Sequence, residues 1–308
     1  MTAARDVSFD VEPGEVLGLV GESGCGKSTV ARSLVRVLPR GARIVRGRIM
    51  FEGSDVLALP AKGLRRVRGP GMAIVFQDPL SAFDPVLTVG AQIAETLRAH
   101  ESLRRSAAKQ RAIDLLKMVE IPAAERRYRS YAHELSGGMR QRAMLAMAIS
   151  CKPRLLIADE PTTALDVTIQ AQMVELLKRL KSELGMAVLI VSHDLGLVAG
   201  IADRVLVMYA GQIVEAGPAE NVLAAPFHPY TQSLLASVVR IDGTKVARLP
   251  SIAGTPPQLG RTVDYCPFGP RCRRHEPRCD EANPALERVR PGHLLACTVV
   301  NSEQAARV

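Results

Sequence analysis

The apolar run Val16–Val20 (VLGLV) leads directly into residues 21–28, GESGCGKS, and that junction restricts the fold more than any other stretch of the chain. A short apolar run ending in G-x-x-x-x-G-K-[ST] and followed by helix-compatible sequence reads as strand, phosphate loop, helix. The helix is expected over residues 27–37, with Pro39 as its stop. Further apolar runs at 155–158, 187–191 and 204–209 alternate with helical patterns such as 168–184. Strands alternating with helices imply an α/β fold with a mainly parallel, covered sheet.

Between Thr88 and Ile121 the period changes. Val89, Ile93 and Leu97 fall at i, i+4 and i+8, and Ala112, Leu115 and Val119 form a second stripe, so a helical subdomain is expected at about residues 86–150. From about residue 236 the texture shifts to proline, glycine and arginine, with Pro256-Pro257 and a group of late cysteines. The expected division is a nucleotide-binding domain over 1–235 and a small cysteine-containing extension over 236–308.

The 308 residues are 47% hydrophobic and 23% charged, the balance of a globular chain with a sizeable core. No run approaches the roughly 18 apolar residues of a membrane-spanning helix, and no apolar signal core follows Met1, so a cytoplasmic location is expected. The net charge of +9 comes mostly from arginine, with clusters at Arg104/Arg105, Arg126/Arg127/Arg129 and Arg271/Arg273/Arg274/Arg278. Such an excess suits solvated surface, a membrane or permease contact, or nucleic acid. The 4% aromatic content and the lack of a helix-turn-helix, RNA-recognition or zinc-finger pattern count against nucleic acid.

A glycine-rich turn feeding a helix N-terminus offers backbone N–H groups and a positive dipole end to phosphate oxygens. Gly21, Gly24 and Gly26 allow a triphosphate to approach, Lys27 would reach the β- and γ-phosphates, and the Ser28 hydroxyl would ligate Mg²⁺. Glu22, Ser23, Cys25 and Thr29 complete the run expected to contact ATP. Asp159 closes the apolar run of LLIADE (155–160), where a carboxylate needs a cation or donors, and Mg²⁺ is the expected partner. Glu160 stands next, placed to polarise the water that attacks the γ-phosphate.

A third motif, LSGGMRQR at 135–142, lies between these two. With all three in this order, the chain resembles the nucleotide-binding subunits of ABC transporters over roughly residues 7–240. The resemblance implies that Ser136, Gly137 and Gly138 act in trans, closing over ATP held by a second such subunit. The chemistry agrees: Ser136 is a good N-cap, and the two glycines leave N–H groups open. Gln77 of VFQDP resembles the glutamine that touches Mg²⁺ and the attacking water, Asp166 of TALD the residue that communicates across the dimer, and His193 of SHD the histidine that contacts the γ-phosphate.

Members of the family usually begin with a further strand and an aromatic residue stacked on adenine, whereas nothing aromatic precedes Phe9. The expectation is a true start upstream of Met1, the alternative being a weaker hold on adenine. The segments APFHPYTQSLL (225–235), SIAGTPP (251–257), YCPFGPRC (265–272) and FQDPLSAFDP (76–85) resemble the ATPase subunits of dipeptide and oligopeptide importers. That resemblance implies an ATPase at the cytoplasmic face of the membrane, peripheral to it. Its implied partners are two permease subunits, a second ATPase subunit (a different chain, or a copy of itself) and, indirectly, a substrate-binding protein. Import of nickel chelates or other small solutes is the alternative within the class. A soluble ABC ATPase working on ribosomes or DNA is the alternative outside it.

Of the six cysteines, Cys25 lies in the phosphate loop and Cys151 in an apolar stretch that reads as buried and unreactive. Cys266, Cys272, Cys279 and Cys297 follow C-x5-C-x6-C-x17-C, which lacks the close pairs of a zinc ribbon and stands in a chain expected in a reducing compartment. Four thiolates suit a [4Fe-4S] cluster, as the importer-type pattern also implies. Zinc with His275 or His293 as stand-in ligands, and no metal at all, stay open beside it.

Overall fold

The apolar runs fold as strands because they are covered on both faces. In the computed structural model, which describes residues 2–163, 165–237, 252–257, 260 and 263–305, the strands in chain order are β1 (Val16–Val20), β2 (Met50–Phe51), β3 (Ser54–Asp55), β4 (Met72–Val75), β5 (Leu155–Asp159), β6 (Ala187–Ser192), β7 (Arg204–Tyr209), β8 (Gln212–Pro218), β9 (Glu287–Arg290) and β10 (His293–Leu295). Every residue of β1, β5 and β6 is buried, which explains why these strands read as continuous apolar runs rather than alternating ones. Ser251 of the SIAGTPP segment, and residues 238–250 just past the expected boundary, lie outside the described residues.

The described residues form two compact units. One comprises Val11–Glu15 and Ala31–Val191. In it β4 and β5 pair in parallel with Met72 opposite Leu155, and β5 and β6 pair in parallel with Leu155 opposite Ala187. The helical subdomain belongs to this unit. Thr88 caps the helix Val89–His100, its Oγ1 accepting from the Ala91 N–H at 3.4 Å, and Val89, Ile93 and Leu97 are fully buried as their spacing predicts. Helix Arg105–Met118 buries Ala112, Leu115 and Leu116, and helix Gly137–Ile149 buries Met144, Leu145 and Ile149 against the same core. Each such leucine or isoleucine contributes about 1.5–3 kcal/mol by leaving water. Cys151, expected to be buried, is half-buried beside Ser150, and burial still pushes its thiol up.

The helix after the phosphate loop stops earlier than expected, at Leu34 instead of Val37. The Val37 N–H donates to the Arg32 carbonyl at 2.9 Å and the Arg36 N–H to the Ser33 carbonyl at 3.0 Å, with Arg36 left-handed at φ 54°. This is a Schellman ending, which sequence usually announces with glycine. Here arginine accepts the left-handed conformation, and its guanidinium donates to the Val56 and Leu59 carbonyls at 3.2 and 2.9 Å, contacts that offset the strain.

The other unit comprises Met1–Asp10, Val16–Val30 and Ser192–Val308. β1 pairs in parallel with β7, after which pairing turns antiparallel: β7 with β8, β8 with β10, and β10 with β9. The architecture is α/β, with parallel pairing around the motifs read from sequence. The late residues have a core of their own, in which Cys279, Leu295, Cys297, Val299 and Val300 pack with Phe227, Cys266 and Val289. Glu215 on β8 is fully buried; its Oε1 lies 2.8 Å from His293 Nε2 and accepts from the Phe227 N–H at 2.7 Å, while Oε2 accepts from the His228 N–H at 3.1 Å. Burial lowers the His228 pKa to about 4 against the pull of Glu215, so its ring is neutral and Nδ1 accepts from the Tyr230 N–H at 3.0 Å.

Among the described residues no helix is long and apolar enough to cross a membrane.

Candidate functional site

The phosphate loop leaves β1 at Val20 and enters helix Lys27–Leu34. Its backbone is shaped by glycine at Gly21, where φ is 153° and a Cβ would stand 2.1 Å from the Met208 carbonyl oxygen, so no other residue fits there. Lys27 is buried, and its Nζ donates to the Gly21 and Glu22 carbonyls at 2.8 and 3.1 Å, which holds the ammonium at the centre of the turn. Ser23 and Gly24 are exposed on the loop, while Ser28 and Thr29 are half-buried in the first helical turn. Cys25 is buried; burial raises its thiol pKa while Lys27 opposes, which makes it a packing residue and a poor nucleophile. His193, in the same unit, follows β6 directly and is exposed. The turn that presents it is fixed on either side, by Ser192 Oγ accepting from the Asp194 N–H at 2.9 Å and by Asp194 capping helix Leu195–Ala199.

The other unit carries the two carboxylates. Asp159, the last residue of β5, is fully buried with Arg32 Nε 3.4 Å from its Oδ2, so a guanidinium already balances the charge that the sequence assigns to Mg²⁺. Glu160 is 8% exposed and left-handed at φ 51°, a conformation that costs a non-glycine residue about 1–3 kcal/mol. Its N–H donates to the Val191 carbonyl at 2.9 Å, and its Oε2 accepts from Gln77 Nε2 at 2.7 Å and from Thr163 Oγ1 at 2.9 Å. Strain of this kind persists only where several bonds over-determine it, and here they aim one carboxylate.

The structure thus brings Gln77 and Glu160 into direct contact across 83 positions of sequence. Ser136 caps helix Gly137–Ile149, its Oγ accepting from the Met139 N–H at 3.3 Å, and Ser136 and Gly137 are exposed. Gly138 packs where a Cβ would meet the Ile169 side chain at 3.2 Å. Asp166 is exposed and caps helix Val167–Leu184 through the Ile169 N–H at 2.9 Å.

Two residues of this group escaped the sequence reading. Arg32 lies five positions beyond Lys27, on the helix that the motif opens, and Thr163 lies three beyond Glu160 in EPTTALD; the i, i+3 spacing was the available signal for the second. Thr163→Val is expected to lower kcat about tenfold while leaving the KM for ATP nearly unchanged, since a bond to a charged group contributes about 1.5–3 kcal/mol. Steady-state hydrolysis assays check this, and an unchanged kcat removes Thr163 from the site.

The four late cysteines are free thiols and line one small cavity. The Cys266 N–H donates to the Cys279 carbonyl at 2.9 Å, tying two of the segments together. Burial pushes Cys266 up to about 11 and also raises Cys272 and Cys297. His275 and His293, the stand-ins for zinc, face carboxylates instead, Asp280 at 3.0 Å and Glu215 at 2.8 Å. Among the described residues no group of three or more His, Cys, Asp or Glu is placed to hold a metal ion.

The family model described as ABC transporter matches residues 4–163, and that described as oligopeptide/dipeptide transporter, C-terminal region, matches residues 214–279. The chain is 49% identical over 296 residues to a probable peptide ABC transporter ATP-binding protein of Sinorhizobium fredii, covering 96% of this chain and 88% of the relative. It is 46% identical over 297 residues to the oligopeptide transport ATP-binding protein OppD of Salmonella typhimurium, with coverage of 96% and 88%. To the dipeptide transport ATP-binding protein DppD of Bacillus subtilis it is 45% identical over 296 residues, with the same coverage. Among solved structures, a dimeric ATP-binding cassette in a post-hydrolysis state with ADP and Pi superposes with a TM-score of 0.63 at 26% identity, over 70% of this chain and 90% of that one.

Proposed function

Because the chain belongs to the ABC transporter family, as an ATP-binding subunit of the peptide-import type, we propose that its named residues divide the work of that subunit as follows. The chain binds and hydrolyses ATP to power import of oligopeptides or dipeptides. Gly21, Glu22, Ser23, Gly24, Cys25, Gly26, Lys27, Ser28 and Thr29 cradle the phosphates. Ser28, Gln77 and Asp159 are the oxygen donors offered to Mg²⁺, a hard cation that takes hydroxyl, amide and carboxylate oxygen; bound there, it supplies charge neutralisation at the γ-phosphate. Glu160 takes the proton of the attacking water, Gln77 and Thr163 keep its carboxylate aimed, and His193 contacts the γ-phosphate. Ser136, Gly137 and Gly138 meet ATP held by a second ATPase subunit, and Asp166 communicates with that subunit.

On this reading residues 1–235 are the nucleotide-binding part, with the helical part at about 86–150, and 236–308 are the extension typical of peptide importers. Two permease subunits receive the movement at the cytoplasmic face of the membrane. A substrate-binding protein delivers cargo to them, and the second ATPase is a different chain or a copy of this one. The observation that carries the peptide assignment is the match of residues 214–279 to the peptide-importer C-terminal region, since phosphate chemistry is indifferent to cargo. Uptake of labelled peptides and of nickel chelates by vesicles holding the chain with its permeases tests it. ATP-dependent accumulation of the chelate alone would replace peptide by metal complex.

For the four cysteines we adopt the [4Fe-4S] assignment. Thiols are the donors such a cluster takes, and Cys266, Cys272, Cys279 and Cys297 share one cavity wall, which supports the reading. Anaerobically purified protein is expected to be brown, with iron and acid-labile sulfide in equal amounts, and Cys279→Ala is expected to lose most of both. Colourless protein lacking iron and sulfide overturns the assignment, and stoichiometric zinc would replace it.

A further inference from the structure

Glu22 is an odd residue to find in a phosphate loop, because its charge repels the anion that the loop is built to hold. Its surroundings answer the difficulty. The Glu22 N–H donates to the Tyr230 hydroxyl at 2.8 Å, and its carboxylate accepts two bonds from Arg271, Nη1 to Oε2 at 2.7 Å and Nη2 to Oε1 at 3.0 Å. Arg271 comes from the cysteine segment, 249 positions further along the chain. Its side chain is only 5% exposed. Nη1 also donates to the Tyr209 hydroxyl at 3.2 Å, Nε donates to the Ala253 carbonyl at 2.8 Å, and the guanidinium lies over the Tyr209 ring at 5.8 Å. Tyr209 and Tyr230 are in contact at 4.6 Å between ring centroids, and each packs on Phe268.

A two-pronged Arg–carboxylate pair fixes direction as well as distance, and aromatic packing removes the guanidinium's freedom to leave it. The first turn of the phosphate loop is therefore gripped at two points, backbone and side chain, by residues that lie between β8 and β9 in the chain. Arg271 sits between Cys266 and Cys272, so whatever orders that segment also places the guanidinium.

We propose that Arg271, with the Tyr230 hydroxyl, is a positioning residue for the ATP reaction: it holds Glu22 so that the loop's amides face the phosphates, and it cancels the Glu22 charge beside them. The inference rests on the assignment of residues 21–29 to ATP binding. Neither residue touches ATP in this role, and both act through Glu22.

MgATP titrations of the purified full chain test it, read with a fluorescent ATP analogue alongside thermal melting. Arg271→Gln is expected to raise the Kd about tenfold or more, the effect of losing a bond to a charged group. Arg271→Lys is expected to recover only part of the affinity, because an ammonium cannot bridge both oxygens. With Glu22→Gln as background the charge is already gone, so adding Arg271→Gln is expected to cost far less than it does in the wild type. A merely structural joint would lower the melting temperature of the Arg271 variants and leave the Kd unchanged, and that result overturns the proposal. If Arg271→Gln does not fold, Tyr230→Phe keeps the ring packing and removes only the hydroxyl. It is expected to raise the Kd about fivefold, and an unchanged Kd overturns the proposal equally. A wild-type chain that fails to bind MgATP would instead refute the assignment of the loop itself.

Discussion

Replacing Glu160 by glutamine is expected to slow ATP hydrolysis by about 10²–10⁴-fold, the usual contribution of a general base, while MgATP still binds. The amide keeps the shape of the carboxylate and its carbonyl oxygen can still accept from Gln77 or Thr163, so the left-handed turn at Glu160 is retained. What disappears is the ability to take a proton from water. Single-turnover hydrolysis measures the loss, and a fall of less than tenfold would remove Glu160 from the role of base. The same variant reports on partnership, because blocked hydrolysis traps the closed state. ATP-dependent dimerisation seen by light scattering means that the chain pairs with itself. A monomer that binds ATP means that its partner is a different ATPase.

The second large effect concerns stability. His293→Ala removes the imidazole that faces Glu215, leaving a fully buried carboxylate with the N–H groups of Phe227 and His228. Taking one partner away from a buried charged group typically costs about 1–3 kcal/mol or more, and the two backbone bonds that survive place this case at about 3 kcal/mol. The double replacement Glu215→Leu/His293→Leu is expected to recover much of that loss, since apolar residues of similar volume do not need the pair. Urea unfolding followed by circular dichroism compares the three proteins. A loss below about 1 kcal/mol in His293→Ala would mean that water reaches the carboxylate.

The parts of this protein legible in its sequence are those where chemistry dictates spacing. A phosphate needs amides from a glycine-rich turn, so residues 21–28 are recognisable without knowledge of the fold. A helix that packs on one side repeats its apolar residues, so Val89, Ile93 and Leu97 announce theirs. The early end of the helix at Leu34 was hidden because Arg36 adopts a conformation that glycine usually marks, on the strength of bonds to carbonyls twenty and more positions away. Arg271 with Glu22, and His293 with Glu215, were hidden for a related reason. Each pair joins distant segments, and nothing local in either residue declares a partner. The cysteines were legible as a group through their crowding after residue 265, whereas their packing with Phe227, Leu295 and Val299 was not.

The antiparallel pairing of β10 with β8 sets Leu294 opposite Ala216 and Leu295 opposite Glu215. β8 is a long, mostly buried strand, and without β10 its outer row of N–H and C=O groups would lie bare. Such a bare edge is a template for any extended chain in solution, including another copy of the same protein. The late residues therefore double as a guard against clumping. Shortened versions that stop at about residue 236 should be handled as sticky material, whatever they retain of the phosphate loop.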